Sequence, residues 1–192
     1  KKLKKNVIGG YTITCVGDER TFSYLPSRNG NTISDKIALK VLHKNKKRFK
    51  IYSWLDRGSD ERQYCSPNLN LPIASIMRSK YSCFKEYHNS LDRIGTVVTE
   101  KGLRESFKVY KEVIKMFENN FRPKAINLGE PFLKKHGLFK SKVYTKEVRL
   151  VSDILSYCDG YNDLIDISEK CKITQKKTLS ILNKLKSKRL IV

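Results

Sequence analysis

The sequence predicts an α/β domain, built on a mixed sheet flanked by helices, followed by a small winged helix-turn-helix domain. Up to about residue 120, short runs of β-forming residues alternate with amphipathic helical patterns, which is typical of helices packed on a sheet. From residue 145 onward the pattern is helical except at its end. We therefore predict three regions: the α/β domain at 1–121, a linker or extended arm at 122–144, and the winged-helix domain at 145–192.

Four segments of the α/β domain have the composition of strands. Residues 7–16 are rich in β-formers and alternate loosely, and residues 21–25 form a second short run after a turn. Residues 49–54 and 71–77 are two further runs of this kind. Short apolar runs bounded by turn residues favour strands that are buried in a sheet.

Two helices are predicted to pack on these strands. Ser34 or Asp35 is expected to cap the first, and the second covers about 100–119 behind a Thr99 cap. The first helix has an apolar face made of Ile37, Ala38, Val41 and Leu42. In the second helix an apolar stripe at helical spacing is expected to face the core: Leu103, Phe107, Tyr110, Ile114 and Phe117.

The C-terminal region has the pattern of a winged helix. Three short helices are predicted at 145–157, 164–171 and 175–186, the last capped by Thr174. Residues 190–192 are apolar and are expected to begin a strand. Three short helices with a terminal strand are typical of a winged helix-turn-helix module.

The strongest feature of the composition is its charge. The chain has 40 Lys and Arg residues against 19 Asp and Glu residues, a net charge of +21. Such a charge attracts nucleic acid or acidic lipid over long range. Alternatively, the lysines simply occupy solvated positions. They are scattered and not interleaved with aromatic residues, which favours the second interpretation.

The sequence also predicts the cellular compartment. No run approaches the roughly 18 apolar residues of a membrane span, and the basic N-terminus lacks the apolar segment of a secretory signal. The five cysteines are widely spaced and odd in number, which argues against a disulfide framework. We expect a cytoplasmic protein with reduced cysteines and no membrane partner.

His88 differs from the other two histidines, which lie among lysines. It follows an apolar run, with Glu86 before it and Asp92 after it. Imidazole is a good zinc ligand, and a neighbouring carboxylate commonly orients such a ring. A single histidine near acids is also found as a hydrogen-bonded structural residue, so this pattern alone leaves both interpretations open.

Other ionisable residues lie where predicted strands end. Residues 59–64 form a dense charged run before an apolar strand, and Asp18 directly follows the first strand. Charges at strand ends are solvated, paired, or used in a site. Ligands of open α/β sheets bind outside the carboxyl ends of strands. These loops are therefore expected to converge with the His88 loop on one cleft.

Several ordered motifs resemble one known family. They are residues 14–18 (Thr-Cys-Val-Gly-Asp), 26–32 (Pro-Ser-Arg-Asn-Gly-Asn-Thr), 57–67 (Arg-Gly-Ser-Asp-Glu-Arg-Gln-Tyr-Cys-Ser-Pro), 71–72 (Leu-Pro), 77–81 (Met-Arg-Ser-Lys-Tyr), 86–88 (Glu-Tyr-His) and the tail at 159–167. Together they resemble bacterial aminopeptidase-like proteins, which are related to the zinc-dependent aminopeptidases and the glutaminyl cyclases. The resemblance covers nearly the whole chain.

The resemblance implies a zinc hydrolase that acts on peptide or other amide substrates. His88 occupies the place of a metal ligand in a Tyr-His-Thr-like motif, although Asn89 replaces the threonine. Asp60 and Glu61 fall on a Ser-Asp-His motif as catalytic-site residues, with Glu61 replacing the histidine. Further roles are implied for Asp18 (metal ligand, with Cys15 as an alternative), Glu86 and Asp92 (orienting His88), and Arg62, Tyr64, Arg78 and Lys80 (substrate contacts).

The chain departs from the family at its zinc site. The family's first histidine and bridging aspartate, and the glutamate that acts as general base, belong to a segment upstream of Lys1. Zinc hydrolysis needs about three protein ligands, an open position and a base. We therefore expect this chain to be the C-terminal part of the enzyme and inactive by itself. A half-sheet exposes an edge and an apolar face, so self-association is expected as well.

The winged helix supports an alternative function. Gln175, Lys176 and Lys177 begin the helix that would enter the major groove of DNA. Winged helices also serve as small packing or interaction domains. A nucleic-acid-binding protein is therefore the second hypothesis, behind the hydrolase.

Overall fold

The structure is a computed structural model that describes residues 4–45, 48–139 and 145–192. The end of the predicted arm, 140–144, lies outside the described residues. The chain divides into two compact units, Lys1–Met116 and Phe117–Val192.

The first unit is built on a four-stranded mixed sheet. Its strands are β1 (Gly10–Thr12), β2 (Phe22–Leu25), β3 (Phe49–Ile51) and β4 (Ile73–Met77), in the order β1-β4-β2-β3. β1 is parallel to β4 and β2 is parallel to β3, whereas β2 and β4 are antiparallel. The predicted α/β class with a mixed sheet is confirmed, with strands shorter than their apolar runs.

Helix α1 (Ile33–Lys44) has the predicted buried face. Its first residue is preceded by Thr32 rather than by Ser34 or Asp35, so the predicted cap is wrong. Asp35 instead accepts a hydrogen bond from the Thr32 backbone N–H at 2.8 Å, which is part of a capping box at the start of the helix. A short helix, α2 (Glu61–Tyr64), lies within the segment that the sequence predicted as a polar loop.

Helix α3 (Glu100–Asn119) packs through a different face from the one predicted. Its buried residues are Gly102, Ser106, Val109 and Val113. Three members of the predicted core stripe are exposed: Leu103 by 45%, Phe107 by 67% and Ile114 by 57%. Small residues allow the helix backbone to approach the sheet closely, and Ser106 Oγ donates to the Val16 carbonyl at 2.7 Å. This close approach selects the packing face.

The second unit contains α4 (Lys146–Ser156), α5 (Leu164–Lys170) and α6 (Gln175–Ser187) around one apolar core. The C-terminal strand is reduced to a bridge between Ala125 and Ile191. Part of the segment predicted as a linker packs into this core, since Leu133 and Leu138 are buried there.

None of the helices within the described ranges combines the length and hydropathy that a membrane crossing requires.

Candidate functional site

A cleft of about 690 Å³ opens in the first unit, within the size range of ligand pockets. Residues that follow β1, β3 and β4 line it, together with the start of α3. They are Thr14, Cys15, Val16, Gly17, Asp18, Gly58, Ser59, Asp60, Arg62, Gln63, Phe84, Tyr87, His88, Asp92, Val97, Val98 and Leu103. Of the predicted site residues, the cleft brings together Asp18, Asp60, Arg62, His88 and Asp92.

Residues 58–63 reach the cleft for a reason other than strand direction. β3 runs opposite to β4, so their carboxyl ends lie at opposite ends of the sheet. Tyr81, which follows β4, donates to Glu61 Oε1 at 2.6 Å. The same oxygen accepts the backbone N–H groups of Gly58 and Ser59 at 2.8 and 2.9 Å. Glu61 thus ties this segment to the end of β4 and places Asp60 at the cleft.

Glu61 is fully buried and does not itself line the cleft. Burial raises the pKa of its carboxyl group, but the hydrogen bonds from Tyr81 and from the Ser59 and Gly58 amides outweigh it and leave the pKa below its ordinary value. Its second oxygen, Oε2, has no hydrogen-bond partner among the described residues. Glu61 therefore acts as an ionised internal anchor of the loop.

Asp18 lines the cleft while holding a turn. Its oxygens accept hydrogen bonds from the Arg20 and Ser79 backbone N–H groups, both at 2.8 Å, and from Ser79 Oγ at 3.2 Å. The residue is 4% exposed. These bonds join the end of β1 to the end of β4. Both carboxylate oxygens of Asp18 already accept hydrogen bonds within the chain. The role of Asp18 as a metal ligand stays a prediction.

His88 adopts a left-handed backbone conformation, with φ of 57°. Its ring stacks on Tyr87, with 3.9 Å between ring centroids. Among the described residues, neither ring nitrogen has a hydrogen-bond partner. Non-glycine residues are rare in this conformation and cluster at functional sites, where surrounding structure maintains the strain.

The cleft is acidic in a basic protein. Among the described residues, three aspartates line it, Asp18, Asp60 and Asp92, together with the cationic side chain of Arg62. Cys15 lies in the same wall. Burial raises the pKa of its thiol, and the carboxylates of Asp92 and Asp18 raise that pKa further. The thiol is therefore protonated near neutral pH and is a poor nucleophile or metal ligand.

Three residues predicted to contact substrate do not line the cleft. Arg78 is buried and pairs with Glu105, with Nη1 and Oε2 separated by 2.9 Å. Lys80 is also buried, with its Nζ over the ring of Tyr81 at 4.3 Å. Both cations are therefore used in internal packing, and the predicted substrate contacts of these two residues stay predictions. Tyr64 is 44% exposed and also does not line the cleft.

Glu86 is engaged by Arg20, and its predicted role in orienting His88 stays a prediction. Its two carboxylate oxygens accept hydrogen bonds from Arg20 Nη2 at 3.1 and 3.2 Å. Asp92 remains as the predicted neighbour of His88 that lines the cleft.

The residues that the structure describes do not by themselves fit a zinc site. Among the described residues, no group of three His, Cys, Asp or Glu side chains is placed to hold a metal ion. His88, Asp60 and Asp92 share the cleft without forming such a group. A zinc ion here would need ligands from outside the described residues.

Some of the polar groups that line the cleft carry no clear chemical signal in the sequence. Thr14 and Gln63 belong to motifs that carried the family resemblance, but neither is titratable and neither was singled out. Tyr87, which stacks on His88, was also not singled out. Its position next to His88 in the sequence was the available signal.

In the second unit, the predicted nucleic-acid residues begin α6. Thr174 Oγ1 accepts the Lys177 backbone N–H at 3.3 Å and caps the helix as predicted. Lys176 and Lys177 are exposed on its first turn. A second cavity, of about 290 Å³, lies in this unit between the 125–131 segment and α4.

Comparisons with known proteins agree with both parts of this description. Residues 1–120 match the family described as Domain of unknown function (DUF4910). Residues 122–192 match a family described as winged helix-turn-helix, which confirms the predicted winged-helix fold; the match also includes the segment predicted as a linker.

Two relatives come from Clostridium acetobutylicum. One, named as a candidate polysaccharide biosynthesis protein with an aminopeptidase-like domain, is 37% identical over 175 residues; the match covers 86% of this chain and 39% of that protein. The other is the crystal structure of a candidate peptidase, with a TM-score of 0.78 and 33% identity, covering 100% of this chain and 43% of that one. This chain spans about two fifths of the length of these relatives. Their names agree with the resemblance to aminopeptidase-like proteins.

Proposed function

The chain belongs to the family described as Domain of unknown function (DUF4910), and we propose that its α/β unit supplies one wall of the active site of a peptidase-like hydrolase. The substrate class is a peptide or another amide. The activity belongs to a longer protein, because this chain corresponds to about two fifths of relatives that are named as peptidase-like.

One observation carries this proposal: the cleft collects three aspartates and His88 although basic residues outnumber acidic ones two to one in the whole chain. Solvated surface positions of such a chain are expected to be mostly basic. An acidic cleft suits a cationic group, such as a metal ion or the α-ammonium group of a peptide.

Within this cleft we assign separate roles to its residues. Asp60 is the carboxylate that faces the reacting amide, where it can accept or orient a proton. Asp18 and the buried Glu61 position the loops that carry the other groups. Arg62, a cation of the lining, is suited to bind a carbonyl or carboxylate of the substrate.

His88 is proposed as a zinc ligand. Its ring nitrogens have no hydrogen-bond partner among the described residues, and Asp92 lines the same cleft. The other ligands and the general base would come from the part of the enzyme that this chain does not match. Zinc in such a site would polarise the amide carbonyl and activate water.

A chimera tests this proposal. This chain would replace the matching part of the Clostridium acetobutylicum relative, and amine release from aminoacyl amides would be measured with zinc supplied. We expect activity in the chimera, loss of at least about 100-fold in His88→Ala and Asp60→Asn, and lower bound zinc in His88→Ala. His43→Ala, an exposed histidine on α1, is the matched control and should change neither quantity.

The possible results of this test are distinct. A folded chimera that binds zinc but cleaves none of the amides contradicts the hydrolase. An active chimera in which His88→Ala retains full zinc and activity contradicts the assignment of His88 alone.

A second candidate function is duplex nucleic-acid binding by the winged helix. From Thr174 to the last residue, all ionised side chains are basic and exposed: Lys176, Lys177, Lys184, Lys186, Lys188 and Arg189. This concentration of one sign on the helix predicted to enter the groove favours the function.

Salt dependence of binding tests the second candidate. If α6 contacts phosphates, affinity for duplex DNA falls steeply with salt, and the double change Lys176→Ala with Lys177→Ala reduces the slope of log K against log salt by about 2. Lys134→Ala with Lys135→Ala, two exposed lysines of the same unit, is the control. Equal slopes in all three proteins would rule out this role for the helix start.

A further inference from the structure

The exposed apolar stripe of α3 lies on one definite flank of the helix. Leu103, Phe107 and Ile114 form the stripe, and all three are at least 45% exposed. Glu105 precedes Phe107 by two residues, and Glu112 precedes Ile114 by two residues. A separation of two residues corresponds to a rotation of about 200° around the axis of an α-helix. The stripe and the two glutamates therefore occupy opposite flanks of α3.

The glutamate flank forms ion pairs with the rest of the unit. Glu105 pairs with Arg78, which follows β4, and Glu112 pairs with Lys44 of α1 at 3.0 Å. The C-terminal end of α1 therefore lies on this side of α3. The stripe faces away from that end, whereas the start of α1 contacts β1 through Ser34.

Strand β1 marks the sheet edge on the stripe side. Tyr110 of α3 packs edge-to-face on Tyr11 of β1, with 6.2 Å between ring centroids. β1 pairs with β4 along one edge, and no other described strand pairs with it. The residues that flank β1 are also apolar and exposed, Ile8 by 73% and Ile13 by 65%.

An open strand edge next to exposed apolar side chains is a binding surface for another polypeptide. We propose that the β1 edge and the Leu103–Phe107–Ile114 stripe, together named the edge surface, bind the part of the family's longer chain that this chain does not match. An extended segment would add to the sheet beside β1, and apolar side chains of the same part would cover the stripe.

The lengths of the relatives are the reason for proposing that this part of the longer chain covers the edge surface. The solved relative has the same fold over all of this chain, yet this chain accounts for only 43% of its length. More than half of that chain therefore lies outside the matched fold and can cover the edge surface. Leu103 belongs both to the stripe and to the cleft lining, so the bound part would also form a wall of the cleft.

Co-expression tests the edge surface. This chain would carry an affinity tag, and the part of the Clostridium acetobutylicum relative that it does not match would be produced beside it. We expect capture in a 1:1 complex, and at least 10-fold less capture with Phe107→Asp combined with Ile114→Asp. Tyr161→Asp, which is 85% exposed in the second unit, should leave capture unchanged. No capture of the soluble partner, or capture that the α3 changes do not reduce, would overturn the proposal.

The co-expression test requires the unmatched part to fold as a separate chain, and a measurement on the single-chain chimera does not. In the chimera, Phe107→Asp should lower Tm by about 5 °C or more, whereas in this chain alone the exposed site should leave Tm within about 2 °C. Hydrogen exchange at residues 8–13 should be slower in the chimera than in this chain alone. Equal exchange and equal Tm changes in the two proteins would overturn the proposal.

A second copy of this chain is the competing occupant. If this chain alone is a dimer that Phe107→Asp dissociates, and the co-expressed part is not captured, the edge surface binds a second copy and the proposal is wrong. All these readouts measure binding or protection, so their failure is distinguishable from a failure of the proposed hydrolase activity.

Discussion

Tyr81 donates a hydrogen bond across 2.6 Å to Oε1 of Glu61, and both side chains are buried. Tyr81 follows β4, and Glu61 begins α2. The contact therefore connects β4, an inner strand of the sheet, to the loop that carries Asp60 into the cleft. The same hydrogen bond therefore contributes to the stability of the unit and to the position of Asp60.

Tyr81→Phe should destabilise the first unit. The change leaves Glu61 Oε1 with two backbone donors and deprives a buried carboxylate of its third hydrogen bond. Hydrogen bonds to charged groups contribute about 1.5–3 kcal/mol, so we expect a loss in this range in urea unfolding. Tyr64→Phe, at a half-exposed tyrosine, is the matched control and should stay within about 0.5 kcal/mol. Equal effects in the two variants would contradict the role of Tyr81.

Glu61→Gln should change how stability depends on pH. The pKa of Glu61 is lowered in the folded chain, so the unfolded chain, whose ordinary pKa is about 4.3, takes up the proton first as pH falls. The stabilisation by Glu61 is therefore complete well above pH 4.3 and is lost as pH falls below it, through the folded pKa. We expect the stability advantage of the unmodified chain over Glu61→Gln to shrink between about pH 5 and pH 3. An advantage that is constant over this window would contradict the lowered pKa.

Much of the fold could be predicted because its core is apolar and periodic. The buried face of α1 and the caps at Thr99 and Thr174 follow from local spacing, and the structure has them in place. The packing face of α3 could not be predicted in this way. Apolar residues occupy two rows of that helix, and the choice between them depends on contacts of the small Gly102 with distant backbone.

The cleft could be predicted only in part. Charged residues that follow strands line a site in some cases and form internal pairs in others. His88 follows β4 and reaches the cleft as expected of a polar residue after a strand, whereas Asp60 reaches it because Glu61 ties its loop to Tyr81. Arg78 and Lys80 follow β4 in the same way, yet they are buried against Glu105 and aromatic rings. Whether a strand-end charge serves a site or an internal pair depends on partners distant in sequence, which spacing does not reveal.

Gly102→Ala should destabilise the chain although it lies within a helix. An exposed helix position normally gains about 1 kcal/mol from this change. Here the new Cβ would lie 2.0 Å from the Gly17 carbonyl oxygen, so α3 or the loop after β1 must shift. Overpacking of this kind costs about 1–3 kcal/mol. Lys111→Ala, at an exposed position of the same helix, is the control in thermal unfolding and should have little effect. A stabilised Gly102→Ala variant would show that this contact is not close in solution.

His88→Gly separates a functional histidine from a structural one. A left-handed conformation costs a non-glycine residue about 1–2 kcal/mol, and glycine removes this cost while losing more backbone entropy on folding. Since the two effects oppose each other, we expect the free energy of unfolding to change by less than about 1 kcal/mol. If His88 binds zinc in the assembled hydrolase, the same change removes bound zinc and activity from the chimera. If the histidine is instead kept for its stacking on Tyr87, His88→Gly destabilises the chain by more than this and His88→Phe preserves both stability and activity.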